Sequence, residues 1–339
     1  MVRICIYGAG AIGCYLGGRL AAGGVTVDFV GRPGMGEELR RHGLTPTHYD
    51  GRDWRVPPEA IAFSTRPDAA ASAELILVTV KSGATAQAAA ELAGAIRPDA
   101  VVISFQNGIG NAQALRTALP GRSVLAGMVP FNVVKRAPGA FHQASEGEPE
   151  VEDAPALSPF LADFAQAGFA LRRHRDMLPV QWAKLLLNLN NAVNALSGLP
   201  LQQELAQRDY RRCLALAQAE ALAFLKEAGL RPVRLTPLPA GWIPALLRLP
   251  DALFARFAGK MLAIDPSARS SMADDLAAGR RTEVDWINGK VVRLAKRLGR
   301  TAPVNEHLSF LVRQAESAPR PWSGEALLAQ LYEAQARRG

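Results

Sequence analysis

The segment Trp182-Ala183-Lys184-Leu185-Leu186-Leu187-Asn188-Leu189-Asn190-Asn191 places a lysine and two amides, Lys184, Asn188 and Asn191, at i, i+4 and i+7. On a helix these positions share one face, and Leu185, Leu186 and Leu189 cover the rest. An ammonium and two amides are costly to bury without polar partners. The face is therefore expected to line a polar cleft, the plain alternative being an exposed helix face that happens to hold a lysine. A second stretch begins Arg269-Ser270-Ser271-Met272-Ala273-Asp274-Asp275. It continues to Arg281-Thr282-Glu283-Val284-Asp285-Trp286-Ile287-Asn288-Gly289, putting Glu283 and Ile287 at i and i+4 of an expected helix, with Thr282 and Asp285 as further polar positions. Read alone, that text is a capped, charged surface helix.

A different chemistry stands at the beginning of the chain. Gly8-Ala9-Gly10-Ala11-Ile12-Gly13 is a GxGxxG segment that follows an apolar strand and opens a helix. In that context it reads as a dinucleotide-binding turn, the plain alternative being an ordinary strand-to-helix turn: Gly8 for the tight turn, Gly10 for the approach of a pyrophosphate, Gly13 for close packing of helix on strand. The free N–H groups of the helix start would face the phosphates. At the end of the second strand the chain reads Val30-Gly31-Arg32. Arg32 can fork onto a ribose 2′-phosphate, which favours NADPH over NADH, the plain alternative being an exposed loop residue before Pro33. The competing acid, Asp28, lies two residues before the strand end, between Val27 and Phe29.

Two further polar segments close buried strands: Val80-Lys81-Ser82, and Gln106-Asn107-Gly108-Ile109-Gly110. Ligands of an open parallel sheet bind outside the carboxyl ends of its strands. Lys81 and Asn107 are therefore expected on the rim where a nicotinamide would lie, although Asn-Gly could be a turn and no more.

The elements that position these groups follow from apolar periodicity. Val2–Tyr7, Val25–Val30, Leu75–Val80, Val101–Phe105 and Val124–Ala126 read as strands, with helices over Ala11–Ala22 and Thr85–Ile96 between them. Alternating strands and helices indicate a parallel sheet with right-handed crossovers. Gly139–Pro159 lacks a helical period and reads as loops and hairpin strands. Beyond Met177 the chain is helical text, chiefly Gln181–Leu196, Gln207–Ala228, Pro244–Ala258 and Arg281–Leu298. The expected fold class is α/β: a Rossmann-type parallel-sheet domain over residues 1–175, then an all-helical domain over 176–339.

Composition bounds the function. The 339 residues are enough for two cores, and 49% apolar with 21% charged residues is an ordinary globular mixture. A formal charge of +8, from 39 basic against 31 acidic residues, suits an anionic partner. Nucleic acid is disfavoured: the densest basic stretch, Lys290, Arg293, Lys296, Arg297 and Arg300, has helical spacing and no interleaved aromatic residues. Cys5, Cys14 and Cys213 form no CxxC pair, fitting a reducing, cytoplasmic setting. No metal-ligand spacing stands out. No secretory signal is expected, and charges and prolines interrupt the apolar stretch Trp242–Leu262, so no membrane span is expected there.

Taken in order, GAGAIG, VTVKS, QNGIGN, WAKLLLN and the long segment from Arg269 to Asn305 resemble the ketopantoate reductase (2-dehydropantoate 2-reductase) family over nearly the whole chain. SSM, a short charged interval, TE and then D-aromatic-I-N-G is the most specific of these signatures. The resemblance implies a Rossmann domain, a helical domain and an active site in the cleft between them. It implies Lys184 as catalytic lysine and Glu283 as essential glutamate. Asn107, Asn188 and Ser271 would hold substrate, Lys81 would be the lysine after the apolar strand, and Arg32 the 2′-phosphate ligand. One departure stands out: where the family has an asparagine followed by proline, eight residues after the lysine, this chain has Ala192 and no proline. Asn191 or Asn194 are the neighbouring candidates to take over, and Asn191 joins the expected substrate-binding set. The stretch Pro232–Pro266 is also long for the simplest family members.

The expected reaction is hydride transfer from NADPH to the keto carbon of a small 2-keto acid, 2-dehydropantoate. Lys184 would stabilise and then protonate the oxygen on which charge develops. Glu283 would orient Lys184 or accept a hydrogen bond from a substrate hydroxyl. Two alternatives differ in class: a related reductase of another 2-keto acid or an opine-like substrate, and a non-catalytic NADPH-binding protein. The expected partners are the keto acid and, for assembly, a homodimer.

Overall fold

The computed structural model describes residues 2–257, 259 and 266–337. The chain divides into two compact units, Met1–Met177 and Leu178–Gly339.

The first unit contains β1 (Arg3–Tyr7), β2 (Thr26–Val30), β3 (Thr45–His48), β4 (Ala62–Ser64), β5 (Leu75–Val78), β6 (Val101–Ser104), β7 (Ser123–Met128), β8 (Val133–Ala137), β9 (Ala140–Gln143), β10 (Glu150–Glu152) and β11 (Arg172–His174). Eight of these make one sheet in the order β11-β10-β7-β6-β5-β1-β2-β4. The run from β4 to β7 is parallel throughout, and only β10 pairs antiparallel, with β7. Its helices are α1 (Ala11–Ala22), α2 (Pro33–His42), α3 (Thr85–Ala95), α4 (Asn111–Ala118) and α5 (Leu161–Gln166). Leu75, Ile76, Leu77 and Val78 are all fully buried. That accounts for the unbroken apolar run of β5: a central parallel strand is covered on both faces. The strand order reverses between β1 and β5, which leaves a crevice at their carboxyl ends. The short strands β3, β8 and β9 form a separate three-stranded sheet.

The second unit is helical. It comprises α6 (Leu178–Asn188), α7 (Asn190–Ser197), α8 (Leu201–Ala206), α9 (Arg208–Glu227), α10 (Ile243–Leu247), α11 (Asp251–Phe257), α12 (Ser271–Ala277), α13 (Asn288–Arg297), α14 (Pro303–Ser317) and α15 (Gly324–Ala336). The expected helix Gln181–Leu196 is two helices, interrupted at Leu189. The expected helix Pro244–Ala258 is also two, parted around Pro250, which cannot donate a helical hydrogen bond. Ala258 and residues 260–265 lie outside the described residues, and so do the ends of the stretches Trp242–Leu262 and Pro232–Pro266. Among the described residues, no helix is long and apolar enough to cross a membrane.

α6 is anchored by its apolar face. Val180, Trp182, Ala183, Leu185 and Leu186 are buried, and the larger of these side chains each stabilise the fold by roughly 1.5–3 kcal/mol. Val233, Leu235 and Ile243 line a crevice together with Ala183, Leu186 and Leu187 of α6. The beginning of the long connection after α9 therefore packs along this helix.

Candidate active site

In the first unit, every expected nucleotide-binding residue lies at the carboxyl edge of the parallel sheet. Gly8 follows β1 with φ +116°, and the N–H groups of Gly8 and Ala9 both donate to the Val30 carbonyl at 2.9 Å. The three glycines are not alike in what surrounds them. A Cβ on Gly8 would stand 2.5 Å from the Val80 nitrogen, and one on Gly13 would stand 2.4 Å from the Gly8 oxygen. Both are needed for the protein's own packing. A Cβ on Gly10 would meet no protein atom nearer than 4.0 Å. That space faces the start of α1, which no side chain caps. Ala11 and Ile12, in the first turn of α1, are partly buried.

Arg32 follows β2 as the exposed N-cap residue of α2, and its guanidinium has no hydrogen-bond or ion-pair partner among the described residues. Asp28 lies inside β2, opposite Cys5, in an ion pair with Arg3 (Nε to Oδ2, 3.3 Å). Burial pushes its carboxyl above the usual range, against the pull of Arg3.

Lys81, exposed, follows β5; Asn107, partly buried, follows β6. A buried polar network that the sequence reading missed joins their loops. Gln106 donates from Nε2 to Thr85 Oγ1 (2.7 Å) and the Val80 carbonyl (3.1 Å), and accepts from Ser104 Oγ (2.9 Å). Ser82 Oγ and Asn111 Nδ2 both donate to the Asn107 carbonyl at 2.7 Å. The segments VTVKS and QNGIGN carry Ser82, Gln106 and Asn111, and Thr85 and Ser104 stand just outside them. The signal was present in the polar residues flanking Lys81 and Asn107, but it takes the pairing of β5 with β6 to bring them together.

In the second unit, Lys184 and Asn188 sit one turn apart on α6, both partly buried. Loss of hydration pushes the Lys184 ammonium down to about 8. Asn191 lies on α7 rather than on the same helix, a correction to the single-face reading. The backbone at Leu189 keeps right-handed helical angles (φ −59°, ψ −23°), so the interruption is slight, and no proline or glycine marks it. Asn191 is partly buried.

Ser271 is the exposed first residue of α12. Its neighbour Ser270 is buried and caps the helix by accepting the Ala273 N–H at 3.1 Å. Ser270 Oγ also donates to the Asn191 carbonyl at 3.3 Å, so Asn191 and the Ser270–Ser271 turn are brought together. Asn194 does not offer a free amide. It is fully buried, accepting from the Ser270 N–H (2.9 Å) and donating to the Leu199 carbonyl (2.9 Å). Ala192 is fully buried too.

Glu283 is buried, but not on an α-helix as expected. It precedes a 3-10 turn over Val284–Trp286, and α13 begins only at Asn288. The reason is non-local: the N–H and hydroxyl of Thr282 both donate to Glu316 Oε1 (2.8 and 2.7 Å), which holds the segment outside the helix. Among the described residues, no cluster of three or more His, Cys, Asp or Glu side chains is arranged to hold a metal ion.

Comparison with known proteins adds to this geometry. Residues 4–156 match the family described as ketopantoate reductase PanE/ApbA, and residues 176–316 match its C-terminal domain. The chain belongs to the ketopantoate reductase family. This is a family of pyridine-nucleotide-dependent oxidoreductases. The chain is 30% identical over 325 residues to a 2-dehydropantoate 2-reductase of Halobacterium salinarum, covering 93% of this chain and 99% of that one. It is 28% identical to another from Pyrococcus horikoshii, with 93% and 98% covered. A crystal structure of a PanE/ApbA family ketopantoate reductase from Ralstonia eutropha JMP134 superposes with a TM-score of 0.79 at 31% identity, covering 94% of this chain and 99% of that one.

Proposed function

We propose that this ketopantoate reductase family member reduces 2-dehydropantoate to pantoate with NADPH, a step of pantothenate biosynthesis. The names of its relatives support the substrate. The observation that carries the reading is Lys184, an ammonium pushed down to about 8 by burial beside the Asn188 amide on α6. A lysine tuned in this way is still mostly protonated at neutral pH and gives its proton up readily.

The residues of the first unit fit a dinucleotide. The space over Gly10 and the uncapped start of α1 suit a pyrophosphate. Arg32 would hold a 2′-phosphate, while Asp28 is engaged by Arg3. Lys81 and Asn107 would flank the nicotinamide end. When bound, NADPH supplies the hydride that reaches the C2 carbonyl carbon.

The remaining chemistry falls to side chains. As the carbonyl carbon becomes tetrahedral, its oxygen gains negative charge. Lys184 Nζ stabilises that charge and donates a proton to the oxygen, then recovers one from solvent. Glu283 orients the ammonium or accepts from a substrate hydroxyl. Asn107, Asn188, Asn191 and Ser271 hold the carboxylate and hydroxyl groups of the keto acid. One observation favours a second substrate: Ala192, fully buried, offers no amide where the family has asparagine. Steady-state NADPH oxidation with 2-dehydropantoate and a panel of other 2-keto acids tests the reading. Preference for another keto acid by a wide margin in kcat/KM would reject the proposed substrate.

A further inference from the structure

We infer that Glu204 is a positioning residue for substrate binding: paired as a neutral acid with the amide of Asn190, it locks α8 to α7 and so holds the Ser270–Ser271 turn. The inference rests on the reading of Ser271 and Asn191 as substrate ligands.

Glu204 lies near the end of α8 and is fully buried. Its Oε2 accepts from Asn190 Nδ2 at 3.0 Å. Its other oxygen, Oε1, and the Asn190 oxygen Oδ1 are both buried and find no hydrogen-bond partner among the described residues. Two orphaned oxygens on one acid and one amide have a simple resolution. A proton on Oε1, given to Asn190 Oδ1, closes the paired ring of a carboxylic acid with an amide and satisfies both atoms. An ionised carboxylate would leave the Asn190 oxygen without a donor and put a charge in a fully buried position. Burial pushes the Glu204 carboxyl up to about 8, against the pull of the Asn190 and Asn194 amides and of Arg211. Arg211 does not compete for the acid. Its N–H groups go to the carbonyls of Leu205, Ala206, Leu247 and Leu249 and to Asp251.

The connection to the site runs through one helix face. Asn190 and Asn194 are one turn apart on α7. Asn194 Oδ1 accepts the Ser270 N–H, and Ser270 Oγ reaches the Asn191 carbonyl. The first residue of α8 adds a third tie, the Leu201 N–H donating to the Ala268 carbonyl at 2.8 Å. The chain entering α12 is thus held by α7 and α8 together, and the Glu204–Asn190 pair joins those two helices. A leucine at position 204 would fill the space and release α7 from α8.

The test compares Glu204→Leu and Glu204→Gln with the natural enzyme. Glutamine can form the same two-bond ring with Asn190; leucine cannot. Glu204→Leu is expected to raise the KM for 2-dehydropantoate by about tenfold or more with a smaller change in kcat. The Kd of NADPH should be unchanged, and exchange of the Ser270 amide with deuterium should be faster. Glu204→Gln is expected to restore both KM and exchange to within about threefold. An unchanged KM and unchanged Ser270 exchange in Glu204→Leu would overturn the inference. So would a Glu204→Gln variant as impaired as the leucine variant, which would mean that the ionised carboxylate is needed. If Glu204→Leu does not fold, Asn190→Ala breaks the same pair from the other side, and the same outcomes decide. If the natural enzyme does not turn over 2-dehydropantoate, the functional reading fails on its own, while Ser270 exchange still decides the role of Glu204.

Discussion

Asp28 is held by Arg3 inside β2, at 3.3 Å, and the end of that strand is left to Arg32. An NAD-type site needs an acid at the strand end; here the acid is engaged two residues before it. Arg32→Ala is therefore expected to raise the KM for NADPH by roughly ten- to a hundredfold, the loss of about 1.5–3 kcal/mol typical of a charged hydrogen bond. The KM for NADH should hardly move. Equal losses with both cofactors, measured by steady-state kinetics, would remove Arg32 from the 2′-phosphate.

Gly10 and Gly13 separate binding from folding. Gly13→Ala drives a methyl to 2.4 Å from the Gly8 oxygen and 2.6 Å from Thr79 Oγ1, so its melting temperature should fall. Gly10→Ala meets no protein atom within 4.0 Å, so it should melt like the natural protein yet bind NADPH more weakly. Calorimetry of the two variants checks this, and a destabilised Gly10→Ala with normal NADPH affinity would contradict it.

Lys184 should trade stability for function. Its folded pKa, about 8, is below the ordinary 10.5. Between these values the unfolded chain binds the proton more tightly, so the stability linked to this group rises with pH across that window. Below about 8 the burden of the buried charge is fully present. Lys184→Met is therefore expected to raise the melting temperature near neutrality, with the gain shrinking as pH climbs towards 10.5. In the natural enzyme the proton-donating step should weaken as pH rises through about 8. Thermal melts and pH–rate profiles test both statements.

Gln106 holds together the loops that carry Lys81 and Asn107. Gln106→Leu leaves the Ser104 hydroxyl and the Val80 carbonyl without this partner, while the Thr85 hydroxyl keeps its bond to the Ser82 carbonyl at 2.8 Å. Each buried group so orphaned costs about 1–3 kcal/mol. The variant should melt earlier and show a lower kcat/KM, and a wild-type melting temperature would show that the network contributes little.

The parts of this architecture legible in the sequence are those that local chemistry dictates. β5 reads LILV because it is buried on both faces, and Gly8, Gly10 and Gly13 stand where a strand must turn into a helix. The exceptions depend on partners distant in sequence. Glu283 and Ile287 have helical spacing, but Thr282 is tied to Glu316, 34 residues on, and the helix starts late. Lys184, Asn188 and Asn191 have helical spacing too, yet the chain is interrupted at Leu189 with no proline or glycine to mark it. Asn194, a candidate for the missing family asparagine, is consumed by Ser270, 76 residues away. Pairings of that range leave no local periodicity to read.

The most direct test of the account is the turnover of 2-dehydropantoate by the natural enzyme and by Lys184→Ala, followed as NADPH oxidation, with NADPH affinity measured alongside. The natural enzyme should turn over and the variant should lose roughly two to four powers of ten in kcat, the usual worth of a positioned general acid, with NADPH affinity unchanged. A Lys184→Ala enzyme that keeps its turnover within about threefold of the natural one would contradict it.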